Sequence, residues 1–111
     1  MFLCNRTIYF KDNLCLQSGI PVCIEVCRLA KKYNLEIKFH ISYLGDNDRG
    51  MFTWTTTGID EMNQKFEKFL HDSEYQKMNE KITKLTSERS SHDDFWREID
   101  ISEKSKSKDM S

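Results

Sequence analysis

The sequence is short of chain breakers and small residues. Its 111 positions hold one proline, four glycines and a single alanine. It carries no Gly-rich phosphate loop, no Gly-x-Ser-x-Gly elbow and no Ser/His/Asp arrangement. Charge of one sign is missing too: 17 Lys and Arg stand against 18 Asp and Glu, a net of −1. A chain built to grip nucleic acid shows a strong basic excess, so no nucleic-acid partner is expected. No stretch approaches the roughly 18 consecutive apolar residues of a membrane helix, and Arg6 arrives too early for a secretory apolar segment. No membrane partner is expected, and the expected compartment is the cytoplasm. The four cysteines, Cys4, Cys15, Cys23 and Cys27, are too sparse for a disulfide scaffold and read as free thiols. Cys23 and Cys27 lie one helical turn apart and could meet a metal together with His40. However, no Cys-x-x-Cys or His-x-x-x-His accompanies them. No metal and no cofactor is expected.

Apolar residues make up 38% of the chain, below the roughly 45–50% of ordinary domains. Seven Phe, four Tyr and two Trp still supply a core, since each aromatic buries about 150–250 Å². The length allows one domain. Residues 59–102 hold seven basic and eleven acidic side chains, a net of −4. Residues 103–111 carry one apolar side chain among charges and serines and are expected to be a disordered tail. The ordered domain is expected over 1–102.

Residues 2–10 alternate as a strand does, with Phe2, Cys4, Ile8 and Phe10 on one side and Arg6 interrupting the row. Helical spacing follows to Asn34. Pro21 is expected in the first turn of the regular helix, because an interior proline costs about 3 kcal/mol. Leu35 to Tyr43 alternate cleanly, turn formers occupy 45–50, and 51–57 form a third strand, predicting a hairpin. Thr57 and Ser73 each open a capping-box spacing. The second helical region therefore splits at His71–Asp72. Asp94 to Ser102 is the last strand, with Phe95, Ile99 and Ile101 sharing parity. The order β-α-β-β-α-β predicts an α+β, ferredoxin-like antiparallel sheet with helices on one face. The other face would carry Asn5, Thr7, Tyr9, Lys38, His40, Ser42, Trp96 and Glu98, a mixture that a second copy of the chain could cover. Trp54 is compatible with either face.

This layout, and above all Phe66-Glu67-Lys68-Phe69-Leu70-His71-Asp72-Ser73-Glu74-Tyr75-Gln76, resembles the dimeric α+β barrel superfamily. That group includes antibiotic-biosynthesis-type monooxygenases, NIPSNAP-like proteins, stress-responsive barrel proteins and haem-degrading monooxygenases. The resemblance spans about residues 2–102 in element order. It implies a homodimer whose sheets pack face to face, with a pocket between each sheet and its helices. The function it implies is a cofactor-independent monooxygenase- or isomerase-like reaction on an aromatic small molecule. The alternative is a non-catalytic ligand-binding or stress-related interaction dimer. Asn5-Arg6-Thr7 resembles the haem-degrading branch. Phe69 and Asn79, however, stand where that branch has a Trp and a His, and Asn79 cannot be a proximal iron ligand.

His40, Arg6 and Tyr9 are the candidate catalytic residues: a general base, a cation for an anionic group and a hydroxyl. Asn5, Trp54 and Tyr43 are the candidate substrate contacts. Arg6, if it points under the helices, needs a carboxylate partner, from the protein or from an anionic ligand. Strand parity sets Arg6 and His40 in different rows, which would keep them out of one site.

Overall fold

The computed structural model describes residues 1–42, 48–87 and 91–99. The chain runs β1 (Phe2–Tyr9), α1 (Asn13–Lys31), β2 (Lys38–Ile41), β3 (Arg49–Thr56), α2 (Ile59–Leu70), α3 (Ser73–Leu85) and β4 (His92–Arg97). The strands form one sheet in the order β2-β3-β1-β4, antiparallel at every pairing. This is the ferredoxin-like α+β arrangement, with the second helical region split as the sequence predicts. Tyr43, Ile101 and the 103–111 segment lie outside the described residues.

Period-two alternation gives the sheet two unlike faces. Cross-strand register aligns Cys4, Arg6 and Ile8 with Trp54, Phe52 and Gly50, and with Phe95 and Asp93. These residues face the helices. Ile8, Phe52, Leu35 and Ile37 join Leu16, Cys23, Val26 and Leu29 of α1, Phe69 of α2 and Ile82 of α3 in the core. Phe10 is the pivot of that core. It is fully buried, and a Cβ on Gly19 would come within 2.5 Å of its ring. Gly19 therefore lets α1 approach the end of β1 closely.

Four sequence expectations need correction. Pro21 lies inside α1, not in its first turn. Asp12 caps the helix by accepting from the Cys15 N–H at 2.7 Å, which fixes the start at Asn13, and buried Leu16 and Gly19 hold the first turns in place. Pro21 and Gln17, whose carbonyl loses its donor, are both exposed, so the lost bond faces solvent rather than core. The second strand is shorter than expected because the Leu35 N–H still bonds the Ala30 carbonyl and Asn34 takes φ 59° to close the turn. Leu35 and Ile37 are nonetheless buried. The last strand starts earlier and stops at Arg97, where its partner β1 ends at Phe2; Ile99 is exposed rather than in the core row. The helix caps shift by one residue. Gly58 is the N-cap of α2 while Thr57 donates its hydroxyl to Glu61, and Asp72 caps α3 by accepting from the Glu74 and Tyr75 N–H groups.

Candidate functional site

Between the helix-facing side of the sheet and α2–α3 lies a cavity of about 490 Å³, in the range of small-molecule sites. Its floor is Arg6, Ile8, Phe52 and Trp54 from β1 and β3, and its roof is Met62, Phe66, Phe69, Tyr75 and Ile82 from α2 and α3. The break at His71–Asp72 builds this roof. Two short helices can tilt independently, and the capping carboxylate of Asp72 also accepts from the hydroxyl of Tyr33, in the turn that follows α1. That bond holds Asp72 below the usual carboxylate range and pushes Tyr33 upward. The walls are aromatic. Trp54 and Phe66 rings lie 5.1 Å apart, and Phe69 and Tyr75 rings 4.6 Å apart, both tilted, as aromatic pairs prefer.

One end of the cavity is polar. Arg6 donates from Nε to Asp93 Oδ1 at 2.8 Å and from Nη2 to Oδ2 at 3.0 Å. This bidentate pair supplies the carboxylate that the sequence demanded for Arg6. The bond to Arg6 holds Asp93 below the ordinary carboxylate range, and Asp93 in turn raises the guanidinium, so the pair is ionic at neutral pH. Tyr75 sits near Arg6, its phenol pushed up mainly by burial. Trp54 Nε1 is buried with no hydrogen-bond partner, a donor in a wall that otherwise offers it nothing.

The predicted site residues divide between two places. Arg6 and Trp54 line the cavity, which settles the face of Trp54, and Tyr9 borders its end. His40 does not join them. It aligns with Met51 and Thr7 on the opposite face, where Nε2 meets Thr53 Oγ1 at 2.9 Å. It borders a smaller depression of about 230 Å³ with Arg49, Ser42 and Met51. Asn5 shares that open face and donates to Met51 Sδ at 3.1 Å. Tyr9 turns its ring to His92 at 6.2 Å. The catalytic set of His40, Arg6 and Tyr9 therefore does not converge, because the sheet separates its base from its cation. For the same reason His40 cannot meet Cys23 and Cys27. Burial pushes the Cys23 thiol up to about 12, far from the thiolate a metal needs. Among the described residues no group of three or more His, Cys, Asp or Glu is placed to hold a metal.

Sequence reasoning missed Asp93 and Tyr75 as cavity residues. Asp93 shares parity with Phe95, and an acid in the apolar row of the last strand was the available signal. Phe69 and Asn79, singled out by the resemblance, both line the cavity.

No family model matches this chain, and no curated protein matches it significantly. Solved structures do. A NIPSNAP domain protein from Burkholderia xenovorans superposes with TM-score 0.75 at 12% identity, over 89% of this chain and 95% of that one. A NIPSNAP family protein from Agrobacterium tumefaciens gives 0.71 at 15%, over 89% and 93%. An antibiotic biosynthesis monooxygenase gives 0.70 at 8%, over 90% and 100%. The chain shares their fold. At such identities the likeness reaches the NIPSNAP and antibiotic-biosynthesis-monooxygenase architecture and stops short of activity. Among the described residues no helix is long and apolar enough to cross a membrane.

Proposed function

We propose that the protein is a homodimer in which each chain holds a flat, largely apolar small molecule between its sheet and α2–α3. The observation that carries this reading is the cavity itself: aromatic walls from Trp54, Phe66, Phe69 and Tyr75 around a single charged pair, Arg6–Asp93. Few, convergent polar groups in an apolar hollow are the usual form of a ligand site. Binding is the better supported half of the reading. The described cavity residues include no histidine and no cysteine, and the one carboxylate is already paired. A monooxygenase- or isomerase-like turnover there would draw on Tyr75 and Arg6 as its polar groups, in place of His40. Free thiols throughout suit a cytoplasmic setting.

The dimer is supported by the open face. Leu3 and Trp96 pair across β1 and β4 and are 47% and 58% exposed. The face has Lys38 and Arg49 toward its β2–β3 side and Asp94 toward β4. A twofold axis along the strands would lay the basic side of one copy on the acidic side of the other.

A Trp96→Phe variant leaves Trp54 as the sole indole. Titrating it with a naphthyl ketone should shift Trp54 emission and raise the melting temperature. An emission and a melting curve that stay fixed across a panel of flat aromatic compounds would remove the ligand site.

A further inference from the structure

Arg6 is the one cation and Asp93 the one carboxylate among the described residues lining the cavity. They are engaged with each other along one edge of the guanidinium, through Nε and Nη2. Arg6 therefore presents its remaining N–H donors from a pair that carries no net charge. Trp54 lies on the same side of the sheet, two residues along β3 from Phe52, the cross-strand partner of Arg6. Its Nε1 is buried without a partner, so it is closed to the cavity and adds no charge. The floor thus offers hydrogen bonds without offering a positive charge.

We propose that Asp93 is the specificity-determining residue of this cavity: by occupying Arg6 it makes the site take neutral aromatic molecules that carry a hydrogen-bond acceptor, and turn away aromatic carboxylates. The inference rests on the cavity being a small-molecule site. An incoming carboxylate must either pull Arg6 off Asp93, leaving that aspartate without its cation, or sit as a second negative charge beside it. A ketone or phenol oxygen needs neither, since it accepts from the free guanidinium edge and leaves the pair intact.

Two probes with the same ring system, 2-acetylnaphthalene and 2-naphthoate, separate the cases by calorimetric titration of the full chain at neutral pH. Wild type should bind the ketone at least about tenfold more tightly. Asp93→Asn, which keeps an acceptor for Arg6 but removes the charge, should close that gap by about tenfold or invert it. Arg6→Gln leaves Asp93 without its cation and should widen the gap; it carries the test if Asp93→Asn does not fold. Equal affinities in wild type, or a ratio unmoved in both variants while the probes still bind, overturns the role of Asp93. If neither probe binds wild type, the ligand site beneath the proposal is removed, a result distinct from an unmoved ratio.

Discussion

Arg6 and Asp93 join the first and last strands on the rung where their backbones already pair, with Nε–Oδ1 at 2.8 Å and Nη2–Oδ2 at 3.0 Å. The pair ties edge strand β4, most of whose side chains are exposed, to the centre of the sheet. Asp93 is held below its ordinary range chiefly by the hydrogen bond from Arg6. Its contribution is therefore present above the unfolded aspartate value, about 3.9, and is lost as pH falls through the lower folded value. Both side chains are about half exposed, which limits the effect to about 1 kcal/mol or less. Acid denaturation of wild type below about pH 4 should be steeper than that of Asp93→Asn, followed by circular dichroism.

Gly19→Ala sets two effects against each other. Alanine favours a helix interior by about 1 kcal/mol, but the new methyl would meet the ring of fully buried Phe10 at 2.5 Å. Overpacking of this kind costs about 1–3 kcal/mol. The variant should therefore be less stable in urea, and a stability gain would show that Phe10 is free to move aside.

His40→Ala and Trp54→Ala test the two faces of the sheet. His40 lies opposite the cavity, so its removal should leave aromatic ligand affinity within about twofold. Trp54 is part of the wall, and truncating it should cost about tenfold or more. A His40→Ala variant that loses turnover on an identified substrate would return the open face to the mechanism.

Trp96→Asp places a charge in the exposed Leu3–Trp96 pair. Light scattering should find wild type at twice the 13.2 kDa chain mass and this variant at the single mass. Wild type already at the single mass would end the dimer reading.

Asp72→Asn should loosen α3 against α1. It removes the carboxylate that caps α3 and accepts from Tyr33, and leaves a weaker acceptor for both. Since Asp72 is held below its ordinary range by that Tyr33 bond first, its stabilisation too vanishes at acid pH. The melting temperature of the variant should fall below that of wild type at pH 7 and approach it near pH 3. A constant difference at both pH values would assign the loss to shape rather than charge.

The element order, the split at His71–Asp72 and the two-faced sheet were legible in the sequence, because alternation and helical spacing are local consequences of backbone geometry. So was the need of Arg6 for a carboxylate, since a cation in an apolar row requires one. The identity of that carboxylate, 87 residues away, depended on the register between β1 and β4, which only the assembled sheet fixes. Local rules also misjudged Pro21, whose cost is outweighed by tertiary packing of the turns before it. The cavity belongs to tertiary structure alone: its floor and roof come from segments that meet only once the helices cross the sheet. That crossing left His40 on the far side of four strands from the site it was expected to serve.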